Sequence, residues 1–420
     1  MFAGRAMLIF VLFALLYGVG QFHRVATGVV VTEIERELAF GADTLAAISA
    51  VLFLAAALVQ VPVGVLLDRY GPRRTVPTLL VLAVIGTLTF ALAHTAPGLI
   101  LGRILLGVGY GAVLMGGFVI FARWVPPDRF ATASSMMIAC GSFGGLLATS
   151  PLAALVELVG WRSTFVGVAA LTGLLAVLVA TFVRDAPPGY RETGARPATL
   201  VASLRGLLDV LRKRQMRYIL AMALVGYGSG MTVLGLWGGP FLSDLFGLDA
   251  IARGHVLFVM ALAGPVAVAV VGPLDRRFNT RKWIVLALGA GQVLVLSALA
   301  LFGGTSLAVA VVGLVLIMVT QSFNVTLAAH CRAVFPDHLV GRANTMVNMA
   351  AIAGVAIMQY TTGLIIEAFP AETGIADPLA YRLLFGMLAL MVAAAALVYA
   401  RVEDAPPFAD RARRQGVEQT

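Results

Sequence analysis

Arg24 closes a stretch, Ala6–Phe22, that is free of Asp, Glu, Lys, Arg and His, and it follows Tyr17, Gln21 and His23. An arginine at bilayer depth costs roughly 2.5–3.5 kcal/mol even on insertion scales, so it is a functional candidate by default. Its planar fork suits a carboxylate or phosphate better than a neutral sugar. His23 beside it could carry a proton. The competing reading ends the first span early and lets Arg24 reach the interface beside Glu33 and Glu35. Arg103, a second charge in apolar surroundings, either supports proton coupling or donates hydrogen bonds to first-span carbonyls.

A different chemistry is carried by two charge clusters. Asp68-Arg69 followed by Arg73-Arg74 returns 207 residues later, with one residue inserted, as Asp275-Arg276 followed by Arg281-Lys282. A carboxylate at a helix end can face the positive end of a neighbouring helix dipole, an interaction of about 0.3–2 kcal/mol that biases a two-state gate without locking it. Other chemistries are excluded. The two lysines, Lys213 and Lys282, are not preceded by Gly, so there is no Walker-type phosphate loop. Cys140 and Cys331 make neither a disulfide framework nor a Cys-based metal site. No His/Asp/Glu or Cys cluster inside the apolar runs could do enzyme chemistry. No cofactor and no metal are expected.

These residues must be positioned by membrane spans. Hydrophobic residues make up 60% of the 420 and charged ones 12%, too little polar surface for a globule in water. About 20 apolar residues cross a bilayer core. Eleven charge-free runs satisfy that need, and the run Trp283–Ala329 is 47 residues long, so it must fold back, at Gly303-Gly304-Thr305-Ser306. The expectation is twelve spans. No small-x-small site follows the first run, so a cleaved signal peptide is not expected.

Lys and Arg are divided 24 to 5 between the two sides of the spans. By the positive-inside rule this places both termini in the cytoplasm, and it accounts for the formal charge of +9 without nucleic acid. The polar stretch Arg184–Arg217 reads as a cytoplasmic linker, dividing the chain into six-helix bundles at 1–183 and 218–401 with a tail at 402–420. Within it Thr199–Arg214 reads as an amphipathic helix, with Leu200, Leu204, Leu207, Leu208 and Leu211 on one face. The two halves repeat: Pro127-Asp128-Arg129 and Pro336-Asp337-His338 open similar runs, and Met136/Met346 and Glu157/Glu367 lie 210 apart. Repeats of this size mark secondary transporters.

Here the chain resembles the major facilitator superfamily. The match is carried by Gly64-Val-Leu-Leu-Asp68-Arg69-Tyr-Gly71-Pro-Arg73-Arg74, by Arg103-Ile-Leu-Leu-Gly107-Val-Gly109-Tyr-Gly111 and by Gly160-Trp161-Arg162. Two departures stand out. The Gly-Pro arrangement of drug/proton antiporters is absent from the fifth span, and Phe278-Asn279 replaces an expected Gly in the second-half copy of the first signature. The resemblance implies an all-α, twelve-span fold working by alternating access, with spans 1, 4, 7 and 10 lining the cavity. Substrate contacts would then include Tyr17, Gln21, Arg24, Tyr110, Tyr227, Trp237, Gln321 and Asn324, with Asn348, Gln359 and Tyr360 of span 11. Proton coupling would fall to His23 and Arg103. Gating would fall to Asp68, Arg69, Arg73 and Arg74 against Arg342, and to Asp275 and Arg276 in mirror image near Arg129. The expected function is symport of a small organic anion with protons by a monomer in the lipid bilayer of a bacterial inner membrane, and not enzyme catalysis. The alternatives are efflux of amphipathic compounds by proton antiport and, remotely, a membrane enzyme or assembly factor.

Overall fold

The computed structural model describes residues 4–187, 199–369 and 377–408; the centre of the expected linker (188–198) and the greater part of the expected tail (409–420) lie outside the described residues. Two compact units divide the chain, Met1–Leu204 with Ala250–Gly254, and Arg205–Asp249 with His255–Thr420. In the first half of the chain run α1 (Arg5–Val25), α2 (Thr27–Leu38), α3 (Ala42–Tyr70), α4 (Pro72–Leu92), α5 (Ala96–Tyr110), α6 (Val113–Trp124), α7 (Pro127–Leu147), α8 (Ser150–Val159) and α9 (Trp161–Phe182). After α10 (Leu200–Leu211) come α11 (Arg214–Thr232), a π-turn (Val233–Trp237), α12 (Gly238–Phe246), α13 (Ala250–Val271) and α14 (Leu274–Phe278). The chain continues through α15 (Lys282–Phe302), α16 (Leu307–Thr320), α17 (Phe323–Val334), α18 (Asp337–Glu367) and α19 (Pro378–Tyr399).

Among the described residues eleven helices are long and apolar enough to cross a bilayer, and a twelfth span, Thr132–Leu147 with Ser150–Val159, bends by 43° at its break. Pro151, in the first turn of α8, has no N–H to continue the ladder, which accounts for the bend. The long apolar run folds back where expected: α15 ends at Phe302, and the Ser306 hydroxyl caps α16 by accepting from the Val309 N–H at 3.3 Å. In α10, Leu200, Leu204, Leu208 and Leu211 are exposed along one stripe, while Gly206 and Val210 are buried.

The spans that the family resemblance assigns to the cavity each carry a local irregularity in the helical ladder. It falls at Ala26, between α1 and α2, in the first; at Gly111-Ala112 in the fourth; at the π-turn in the seventh; and at Gln321-Ser322 in the tenth, and the last three run on as single apolar spans. The fourth- and tenth-span irregularities lie 210 residues apart, and Ala26 and Val233 lie 207 apart, so they repeat with the sequence. A helix interrupted inside a bilayer frees backbone groups, which is tolerated where other groups or a cavity can take them up.

Each unit has a repeat-equivalent crossing where helix backbone lies on helix backbone. Gly144 of α7 lies on Gly18 of α1, where a Cβ would run into the Gly18 carbonyl; Gly354 of α18, 210 residues later, stands in the same relation to the Leu224 carbonyl of α11. Only hydrogen fits at these crossings. Gly144→Ala and Gly354→Ala should each lower stability by about 1–3 kcal/mol or more, since rigid backbone faces the added methyl. Thermal unfolding of the detergent-solubilised protein reads this out. Gly167→Ala is the control, because a Cβ there meets nothing within 4 Å.

Candidate functional site

In the first unit the candidate residues gather on α1 and α5. Tyr17, Gln21 and Arg24 are spaced by four and three residues, which places them on one helix face, and all three are half-buried. Gln21 Nε2 donates to the Tyr17 hydroxyl at 3.2 Å. Arg24 has no hydrogen bond or ion pair among the described residues. The helix does not stop there: Ala26 N donates to Phe22 O at 2.8 Å and Val30 N to Ala26 O at 3.1 Å, carrying the chain on to Leu38. Small residues make room for the rings. Tyr17 fills the space beside Gly141, and the Tyr110 ring lies 3.1 Å from where a Cβ on Gly20 would stand. The Tyr110 hydroxyl shares a 2.8 Å hydrogen bond with Thr172 Oγ1.

His23 is buried against the rings of Tyr110, Phe165 and Phe22, at centroid distances of 5.4, 5.8 and 5.9 Å. Neither of its ring nitrogens has a partner among the described residues. Arg103, only 1% exposed, lies over the face of Phe90 at 4.6 Å. It donates to the His23 carbonyl at 3.0 Å and to the Thr27 hydroxyl. Its charge is thus spent on the backbone and hydroxyl at the break between α1 and α2, a group of contacts worth more in low dielectric than in water. Thr27 and Thr172 carried no sequence signal.

The second unit gathers carboxamides instead of charges. The Asn324 and Gln321 side chains lie against Gly226 and Gly230 of α11, one turn apart. Trp237 Nε1 donates to Thr362 Oγ1 at 2.8 Å, and Gln292 Nε2 donates to Ser229 Oγ at 2.7 Å. Gln359, fully buried one turn before Thr362, has no partner for either amide atom among the described residues, and Gln321 Oε1, Gln292 Oε1 and Thr232 Oγ1 are likewise unpaired. Tyr227 and Asn348 are half-buried. Tyr360 is set apart: at 48% exposed it shares an outer stripe with Ile357 and Leu364. Ser229, Gln292 and Thr362 are additions that no spacing in the sequence announced.

At the ends of the spans, Asp68, Arg69, Arg73, Arg74, Arg276 and Arg342 are exposed and Asp275 is half-buried. The cation whose charge acts on Asp68 is Arg123. Arg342 packs its guanidinium against Gly206 of α10, 2.7 Å from where a Cβ would stand. Asp275 pairs with Arg281 at 3.6 Å. Elsewhere in the first unit Glu37 accepts from Trp161 Nε1 at 2.8 Å and from Arg162 Nη2 at 2.8 Å, while Arg253 donates to Thr32 Oγ1 at 2.8 Å and pairs with Glu33 at 3.5 Å.

The sequence reading missed the carboxylates that matter most here. Neither α4 nor α15 has a capping side chain of its own at its start. Asp185 serves α4, accepting from the Arg73 N–H at 2.7 Å beside Gly71, whose φ of +74° only glycine adopts freely. Asp404 serves α15, accepting from the N–H groups of Arg281 at 3.1 Å and Lys282 at 3.0 Å, from Ala405 N–H at 2.9 Å and from the Thr280 hydroxyl. Asn279 there has φ +48°, a conformation Asn tolerates, so it does the work of the missing glycine. Even the carbonyl before each carboxylate is held alike, Arg184 O by Trp124 Nε1 and Glu403 O by His330 Nε2, both at 2.9 Å. The signal was available: Asp-Ala-Pro-Pro occurs at 185–188 and again at 404–407.

The family model described as Major Facilitator Superfamily matches residues 6–331. "Nitrate/nitrite transporter NrtP" of Picosynechococcus sp. is 29% identical over 193 residues, covering 39% of this chain and 35% of that relative. "Putative tartrate transporter" of Agrobacterium vitis is 24% identical, covering 65% of this chain and 64% of the relative. "Putative multidrug resistance protein MdtD" of Cronobacter sakazakii is 26% identical, covering 81% and 83%. The chain thus spans under two thirds of the length of the first two. Among solved structures, a bacterial homolog to the human lysosomal transporter Spinster, inward-facing and unoccupied, superposes with a TM-score of 0.77 over 94% of this chain and 96% of that one, at 16% identity. At that identity the likeness is one of fold.

Burial alone would raise the Asp404 carboxyl, but the hydrogen bonds from Thr280, Lys282, Arg281 and Ala405 outweigh it and hold the group below the usual carboxylate range. Such a carboxylate contributes stability that is complete above its unfolded pKa of about 3.9 and is lost as pH falls through the lower folded value. Asp404→Ala should therefore cost about 0.5–2 kcal/mol at neutral pH, the range for a lost helix cap. In melts repeated at decreasing pH, the gap between variant and wild type should close below about pH 4.

Proposed function

The chain belongs to the Major Facilitator Superfamily, and on that premise we propose that it moves a small organic anion across the membrane together with protons. It is a multi-pass integral membrane transporter. The observation that carries the anion reading is Arg24. Arg24 stands next to the end of the apolar span Arg5–Val25, just before the chain runs on through Ala26 into α2. An arginine there with no partner among the described residues, on one face with Tyr17 and Gln21, is suited to take a carboxylate or phosphate in bidentate fashion. His23, with two unused ring nitrogens one residue away, is the group suited to accept the coupled proton when the site opens to water. Tyr110, Tyr227, Trp237, Gln321, Asn324, Asn348 and Gln359 remain the candidate contacts to the rest of the substrate, while Tyr360, on the outer stripe, is set aside.

The bundles 1–183 and 218–401 act as the two moving bodies of a monomer. Asp68 with Arg69, Arg73 and Arg74, and Asp275 with Arg276, bias the gate, Arg342 being the partner proposed for the first cluster. The relatives named for nitrate/nitrite and for tartrate support an anionic substrate. The second reading is export of amphipathic compounds by proton antiport. It draws on the relative named for multidrug resistance, which aligns over the greatest length of the three, and it is weakened by the missing Gly-Pro of the fifth span. Uptake of labelled solutes into liposomes, with and without a proton gradient, separates the two: anion accumulation driven by inward protons supports symport, and expulsion of dyes with no anion uptake supports the rival.

Once a substrate is in hand, Arg24→Lys should weaken binding about tenfold or more through loss of the bidentate fork, and Arg24→Ala should abolish it. Equal affinities for wild type and both variants would remove the anion grip. A second prediction concerns orientation, with both termini in the cytoplasm of a bacterial inner membrane. In a background lacking Cys140 and Cys331, a cysteine at the exposed Thr305 should react with an impermeant thiol reagent from outside the cell, and one at the exposed Phe278 should not. Outside labelling of the Phe278 position would reverse the topology.

A further inference from the structure

The second unit carries a groove of about 780 Å³ along the outer side of α15, α18 and α19. Leu301, Leu364 and Leu390 along it are 64, 47 and 72% exposed on membrane-spanning helices, so acyl chains are its solvent. On α19 it runs from Arg382 to Ala393, eleven residues or about 16 Å of helix, which is half the ~30 Å hydrocarbon core. Its dimensions are those of one leaflet. Arg382, in the second turn of α19, is its one charged lining residue and has no hydrogen bond or ion pair among the described residues. Gly386, one turn deeper, leaves the floor open, for an added Cβ there would meet nothing within 4 Å.

The first unit supplies a contrast. Its groove of about 420 Å³ among α1, α7 and α9 is also apolar, but no charged residue lines it. The difference lies in the single cation at the interfacial end of the larger groove, where a lipid phosphate sits when its chain lies alongside α19. A guanidinium at that level attracts anionic headgroups and offers a two-point hydrogen bond to phosphate. We propose that this groove is a binding site for one anionic phospholipid, its acyl chain lying over Gly386 and its phosphate paired with Arg382.

Native mass spectrometry of the full chain in detergent, with equimolar phosphatidylglycerol and phosphatidylcholine of matched chains, tests this. Wild type should retain one phosphatidylglycerol with about fivefold preference, the factor expected of one basic residue near a membrane surface. Arg382→Gln should erase the preference, Arg382→Lys should keep most of it, and Gly386→Leu, which puts a side chain into the groove at a position where an added Cβ meets nothing within 4 Å, should lose both lipids. Lipid retained by Gly386→Leu, an unchanged preference in Arg382→Gln, or a second copy of the chain in place of lipid would each overturn the proposal. The Arg382→Lys protein, folded and monodisperse, separates loss of selectivity from loss of structure.

Discussion

A chain immersed in hydrocarbon must satisfy its backbone N–H and C=O groups from within, and nearly every feature described above follows from how it does so. Unbroken helices meet the demand automatically, which is why helix accounts for all the spans. The places where the ladder is interrupted are therefore informative. At Ala26 the freed backbone is met by Arg103, which reaches from α5 to the His23 carbonyl and the Thr27 hydroxyl. At the starts of α4 and α15, where N–H groups have no helical partner, carboxylates arrive from the far end of the same half, Asp185 and Asp404. Anion and helix N-terminus attract through the aligned peptide dipoles as well as through the hydrogen bonds themselves. Because each carboxylate follows the last span of its half, the cap ties that last span to the third.

The two halves use the same frame for different chemistry. Irregularities recur at repeat-equivalent positions in spans 1 and 7 and in spans 4 and 10, and Gly144 and Gly354 recur at the equivalent crossing of each unit. Yet the first unit places a guanidinium and an imidazole near its break, while the second places Gln321, Asn324, Gln359 and Gln292 around α11. A guanidinium selects planar anions by charge and two-point geometry; amides offer a donor and an acceptor each and suit neutral polar groups. Divergence of the polar residues on a repeated frame keeps the close helix contacts while the two halves differ in chemistry.

The same asymmetry reaches the caps. Trp124 and His330 hold equivalent carbonyls, but the indole can only donate, whereas the imidazole also meets the Tyr399 hydroxyl at 2.6 Å. Among the described residues the second-half cap is the denser network, with four donors converging on Asp404 against the one backbone donor on Asp185. Asn279 in place of glycine belongs to that density, since its side chain also accepts from the Phe408 N–H at 3.0 Å.

The sequence by itself determined the class of protein, the number of spans and the fold-back at Gly303–Ser306, because long charge-free runs have one stable fate in a bilayer and a turn must fall where an apolar run exceeds the core twice over. It also marked Arg24, Arg103 and the Asp-Arg clusters, because charge in apolar surroundings is costly enough to stand out residue by residue. What it could not disclose was which partner each polar group takes. His23 and Arg24 are neighbours in the chain, but one is packed among rings and the other lies half-open on the Tyr17 face, a difference set by helix rotation against α5 and α7. Tyr360 and Gln359 are also adjacent, and only packing sends one outward and buries the other. The capping roles of Asp185 and Asp404 join residues more than a hundred positions apart. Such pairings depend on the register of one helix against another, which small residues such as Gly144 and Gly354 set through backbone contact, and tertiary structure alone decides that register.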